Sequence, residues 1–153
     1  MPLLETKNLG LISWEQGSEI EFPRGLPGFE ERRKFVAVRF AHTDPLIFLQ
    51  SIEEPGLSFV TLPVRSVDPE YRIAASHEDL ELVGLPSGQQ PCIGENVHCL
   101  TVVAIRETGV TANLLAPVII NLRNLKAVQA VAQEGGYSHQ HALTVGEAAA
   151  VCS

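Results

Sequence analysis

Apolar and polar residues alternate in short runs along most of the chain, and the punctuation between runs is supplied by proline and glycine. Ile20 and Phe22 alternate with Glu19 and Glu21, which predicts a short strand with one apolar and one charged face, ending at Pro23. The following Arg24-Gly25-Leu26-Pro27-Gly28 forces a turn, with Phe29 as the expected anchor of the loop. Alternation resumes over Lys34–Phe40, with Lys34, Val36, Val38 and Phe40 on one face, and Leu46–Ile52 is a nearly continuous apolar run between Pro45 and Pro55. A third run, Leu57–Leu62, follows Glu53-Glu54-Pro55-Gly56, whose Pro-Gly pair suits a type II turn, so a hairpin is expected.

The period changes after Ser76. Ser76 with Asp79 three residues on forms a capping box, Leu80 and Val83 share a face and Gly84 can terminate the element, which predicts a helix of about two turns. Leu85–Asn96 is a loop by composition. Val97–Arg106 is the longest β-like run, with Val97, Cys99, Thr101, Val103 and Ile105 on one face and His98, Leu100, Val102 and Ala104 on the other, and it is expected to be central. Val118–Leu122 and Leu125–Ala132 flank Arg123-Asn124, where Asn tolerates the left-handed backbone of a tight hairpin, although Lys126–Gln133 can also be drawn as a short helix. At the C-terminus, Thr144 and Glu147 cap Ala148-Ala149-Ala150-Val151, predicting a short helix from near Val145. Many short strands with one or two short helices define an all-β, mainly antiparallel fold, a small closed or partly open β-barrel-like domain or a sandwich. One domain over residues 1–143 is expected, with 144–153 as an extension.

The 153 residues suit one domain with one core, and 45% hydrophobic against 19% charged residues is a globular balance. A net charge of −7 repels a phosphate backbone, so direct nucleic-acid binding is disfavoured. The charge is also unevenly placed. Residues 68–95 hold six acids (Asp68, Glu70, Glu78, Asp79, Glu81, Glu95) against Arg72 alone, an asymmetry suited to steering a basic protein partner. Cys92, Cys99 and Cys152 fit neither a disulfide framework nor a C-x-x-C pair, and Glu5 and Lys7 interrupt any leader-like apolar run, which points to a reducing, cytoplasmic setting. Thr108–Leu122 is uncharged but only 15 residues long, short of the roughly 20 needed to span a bilayer.

Searches for chemistry return little. No serine lies in G-x-S-x-G, and Cys99 sits in a buried-looking strand where a thiol acts as a small hydrophobe. His139-x-His141 has no third ligand nearby, and His42, His77 and His98 are isolated, so no metal or cofactor is expected. Gly25 and Gly28 lack the Lys-Ser/Thr of a phosphate cradle, and Arg32-Arg33-Lys34 beside Glu30-Glu31 reads as a self-compensated surface turn. Paired carboxylates could serve acid–base catalysis only if two converged in a pocket. Gln50 and Asn113 sit in apolar neighbourhoods, where an unpaired amide would cost about 1–3 kcal/mol, so each is expected to be hydrogen-bonded.

Four blocks carry a resemblance: EIEFPRGLPGFE at 19–30, DPLIFLQSIEEPGLSFVTLP at 44–63, VTANLLAPVIINLRN at 110–124 and Tyr137-Ser138. In wording and spacing they resemble the FliW family of flagellar assembly factors over roughly residues 3–143. The resemblance implies a small antiparallel β-barrel-like fold and no enzyme activity. It further implies two partners, flagellin and the CsrA-type carbon storage regulator, a basic RNA-binding protein that FliW proteins bind when free of flagellin. His139-Gln140-His141-Ala142 departs from the family, which tends to carry an arginine and a proline there. Candidate partner-binding residues are Asp68, Glu70, Tyr71, Glu78, Asp79 and Glu81 on the acidic segment, Gln50, Glu53 and Glu54 on the hairpin, and Asn113. The competing reading is a small barrel that binds or hydrolyses an apolar small molecule in an interior pocket with one carboxylate pair.

Overall fold

The structure is a computed structural model that describes residues 1–86 and 88–143. Eleven strands and two short α-helices are present among them. Strands β1 (Leu3–Glu5) and β2 (Leu11–Ser13) form a separate two-stranded hairpin. The main sheet takes β3 (Ile20–Glu21), β4 (Lys34–Val38), β5 (Ile47–Ser51), β6 (Ser58–Pro63), β7 (Val97–Arg106), β9 (Val118–Asn121) and β10 (Ala127–Gln129) in the order β10-β9-β7-β6-β5-β4-β3. Strand β8 (Gly109–Ala112) pairs with β7 and with β11 (His141–Ala142), and every ladder is antiparallel. The first α-helix, α1 (Val64–Val67), follows β6 directly, and α2 (His77–Leu82) lies between α1 and β7.

The sheet curls until its ends meet at a single bridge. Glu21 lies opposite Lys126, and the Glu21 amide donates to the Leu125 carbonyl at 2.9 Å. No ladder follows, so the barrel is partly open.

β7 is central, as its length predicts. It pairs with β9 over Val97–Leu100, with β6 over Leu100–Val102 and with β8 over Val103–Arg106. Its two faces feed separate cores, since Val97 and Cys99 join Tyr71, Leu80, Leu114 and Ile119, whereas Leu100 joins Phe22, Phe35, Leu49 and Ile120. Phe22 and Phe35 meet edge to face at 5.3 Å, an arrangement favoured by the ring quadrupoles. In β4 the adjacent residues Phe35 and Val36 are both buried, so this strand is covered on both sides rather than on the single face its alternation suggested.

Helix α2 begins as the capping box dictates: the Ser76 side chain accepts from the Asp79 amide at 3.2 Å. It ends at Gly84, whose φ of +79° allows the Leu85 amide to reach back to the Leu80 carbonyl at 2.9 Å.

Several local expectations are corrected. The β5–β6 hairpin forms, but Gly56 has no positive φ, and the Leu57 amide closes onto the Glu54 carbonyl, so the turn is not type II. At the β9–β10 turn the left-handed residue is Leu125 (φ +58°) rather than Asn124. Asn121 and Asn124 are occupied instead with the C-terminal end of α2, both amides donating to the Val83 carbonyl at 2.8 and 3.1 Å. The strand expected over Leu125–Ala132 shrinks to Ala127–Gln129, and the helical alternative over Lys126–Gln133 does not occur. Phe29 is 40% exposed, edge to face with Phe59, while Leu26 supplies the buried anchor of the loop. The C-terminal helix expected near Val145 lies outside the described residues.

Candidate functional site

The candidate residues fall into three places. Gln50, Glu53 and Glu54 sit on the β5–β6 hairpin. Gln50 is fully buried, and its Nε2 donates to the carbonyls of Ser51, Glu54 and Pro55 at 3.0, 3.4 and 3.3 Å, so it ties the turn to the strand and presents no surface. Its Oε1 has no partner among the described residues. Glu53 reaches across to the neighbouring loop, where its Oε1 accepts from the amides of Arg33 and Lys34 at 2.7 and 2.9 Å. Those two amide bonds, Lys34 first, hold the carboxyl below the ordinary carboxylate range. Glu54 pairs with Arg32 at 3.3 Å.

These bonds correct the reading of the basic triplet as compensated by Glu30-Glu31. Arg32 is paired with Glu54, and Lys34 with Glu21 at 3.8 Å, so compensation comes from neighbouring strands rather than from the adjacent acids. Neither pair is local in sequence: Arg32 and Glu54, 22 residues apart, meet once β4 pairs with β5, and Glu21 and Lys34 face each other across the β3–β4 ladder.

The second place is the turn after α1. Asp68 Oδ1 accepts from the Glu70 amide at 3.0 Å, which leaves the Glu70 side chain in solvent. Tyr71 is fully buried. Its hydroxyl donates to the Leu114 carbonyl at 2.7 Å, its ring stacks on Tyr137 with centroids 4.3 Å apart, and burial raises its pKa. Tyr71 is therefore a core residue that seats the acidic turn, and it is withdrawn as a direct contact. Asn113, half-buried next to Leu114, accepts from the Ala116 amide at 3.0 Å through Oδ1 and shapes the turn after β8.

Helix α2 is the third place. Glu78 and Glu81 point to solvent, whereas Asp79 is mostly covered and pairs with Arg24 at 3.4 Å. Because Tyr71 and Leu80 belong to one core cluster, the 68–71 turn and α2 are seated on the same support, with Glu70, Glu78 and Glu81 exposed and Asp68 half-buried. The hairpin residues Glu53 and Glu54 have their own neighbours and belong to a separate surface.

What this surface can do chemically is bounded by its groups. Cys99 is buried and its thiol is pushed up to about 12 by burial, which removes it as a nucleophile at neutral pH. Among the described residues no three His, Cys, Asp or Glu side chains are placed to hold a metal ion. No helix among them is long and apolar enough to cross a membrane. Exposed carboxylates on a rigid sheet-backed support are suited to contact with a charged protein surface.

The partly open antiparallel sheet has a solved counterpart. The crystal structure of the flagellar assembly factor FliW superposes with a TM-score of 0.78 at 27% identity, covering 92% of this chain and 96% of that one. The fold is therefore that of a flagellar assembly factor. The family described as "FliW protein" matches residues 3–143, and the chain belongs to that family. Flagellar assembly factors FliW of Caldanaerobacter subterraneus (32% identical over 139 residues, 90% of either chain) and Heliobacterium modesticaldum (30% over 140 residues, 92% of this chain and 89% of the relative) are similar to it. So is that of Bacillus subtilis, 28% identical over 141 residues.

Proposed function

We propose that this protein binds flagellin and, when free of it, binds and antagonises a CsrA-type translational regulator, relieving repression of flagellin synthesis. Family membership supports the reading, and the observation that carries it is the acidic surface of exposed Glu70, Glu78 and Glu81, with Asp68 half-buried beside Glu70, on one packed support. A basic RNA-binding protein is steered by such a rim because opposite potentials raise the encounter rate. Flagellin, in this reading, uses apolar contacts. The protein acts by binding, without catalysis, in the cytoplasm. The hydrolase form of the competing reading loses support, since the apolar cavity walled by Ile20, Ile47, Leu100 and Ile120 is lined by no carboxylate.

The test is association kinetics with a purified CsrA-type regulator at two ionic strengths, for wild type and for the Asp68→Lys/Glu70→Lys double variant. Association slows as salt screens charges beyond a Debye length of about 10 Å at 0.1 M, and slows further in the variant. Unchanged rates in all four cases would remove the rim from the mechanism. A pull-down in which added flagellin fails to displace the regulator would sink the partner switch.

A further inference from the structure

The open end of the barrel holds a cavity of about 220 Å³ whose wall is formed by Ile20, Ile47, Leu100, Ile120, Leu122 and Leu125. Alternation explains why it exists. On β4, Phe35 fills the interior beside Leu49 and Ile47, and two residues further the same face carries Ala37, whose methyl group leaves the space open. Two residues further again comes Arg39. On β7, the face that buries Leu100 carries His98 at the same end.

The mouth of this apolar space is thus marked by two nitrogen bases and no acid. Arg39 is exposed and makes no ion pair among the described residues, in a protein whose net charge is −7. His98 stands at the same rim, where partial desolvation first and the Arg39 guanidinium second lower its pKa from the ordinary histidine value, and its ring N–H can donate a hydrogen bond. A guanidinium at the rim of a carboxylate-free apolar cavity is complementary to an anion attached to an aliphatic tail.

We propose that the barrel mouth is a binding site for a small aliphatic monocarboxylate, its tail in the cavity and its carboxylate on Arg39 and His98. A volume of about 220 Å³ holds about seven water volumes of roughly 30 Å³, a size that fits the seven-carbon tail of octanoate with the carboxylate left at the rim. The inference is independent of the acidic rim and of either protein partner.

Titration of the isotope-labelled protein with sodium octanoate, followed by backbone amide and His98 ring NMR shifts, tests it. Saturable shifts confined to the cavity walls are expected, with 1-octanol and octylammonium binding at least tenfold more weakly. Ala37→Leu fills the cavity and abolishes the shifts, while Arg39→Gln, an exposed change that leaves the core untouched, brings octanoate down to the level of octanol. Equal affinity for the three head groups, shifts spread over other surfaces, or unaltered octanoate binding in Arg39→Gln would each overturn the proposal.

Discussion

The Arg24 guanidinium lies 3.4 Å from the Asp79 carboxylate, joining the Pro-Gly turn that follows β3 to the first turn of α2. Asp79 thereby leaves the set of free acids, although its position in the sequence groups it with Glu78 and Glu81. With Arg24 mostly in solvent, the pair contributes no more than about 1 kcal/mol to stability. Its larger consequence is for the field around the rim. Arg24→Ala should therefore speed association with a basic regulator at low salt, opposite in sign to Asp68→Lys/Glu70→Lys, while shifting the unfolding midpoint little. Stopped-flow association together with thermal unfolding checks both.

Glu53 accepts two backbone amides, so its folded-state pKa lies below the ordinary value of 4.5. A depressed carboxyl pKa contributes stability that is present above the unfolded value and is lost as pH falls through the folded one. Glu53→Gln should accordingly lose stability at neutral pH and flatten the acid limb of the stability profile below about pH 4.5. Denaturant unfolding of both proteins between neutral and acid pH reads this out.

Tyr71→Phe keeps the ring stack on Tyr137 and removes only the hydroxyl that donates to Leu114. Leaving that carbonyl unpaired in the core should cost about 1–3 kcal/mol, measurable by urea unfolding, with partner association unchanged because the side chain has no surface. Loss of partner binding in a stable Tyr71→Phe protein would return this residue to the interface.

Gly25 has a φ of +67°, and a methyl group there would sit 2.6 Å from the Glu30 backbone. Gly25→Ala should destabilise by more than about 1 kcal/mol, since the left-handed penalty and the clash add. At Gly28, also at positive φ but with open space around it, the same change should cost only the backbone term. Comparing the two variants by thermal unfolding separates strain from collision.

Elements with a local cause were legible in the sequence. Ser76, Asp79 and Gly84 set α2 through bonds within ten residues, and the length of β7 announced its central place. Features without a local signal were missed. β8 rests on a hairpin turn with Gly109 at φ +138° in an uncharged stretch, and α1 has no side-chain cap. Charge grouping identified the acidic segment but could not tell Glu78 from Asp79, because the distinction depends on Arg24, 55 residues away and brought close by packing. Gln50 and Tyr71 were polar in the sequence and interior in the fold, since each donates to backbone carbonyls of the barrel's own turns. His98 was set aside as isolated, and only closure of the sheet brings Arg39 and Ala37 beside it.

The single bridge between Glu21 and Lys126 makes the barrel's seam its least cooperative boundary. Strands β5, β6 and β7 are each flanked on both sides, so releasing them requires breaking two ladders, whereas among the described residues β3 is joined to the β10 edge by one backbone hydrogen bond, from the Glu21 amide to the Leu125 carbonyl. Native-state hydrogen exchange should follow that order, with the Glu21 amide exchanging through small local openings and those of Leu49 and Thr101 only through global unfolding. Ile20 and Leu125, which border the seam, also wall the cavity, so a local opening of the seam reshapes that wall while the rest of the barrel stays paired.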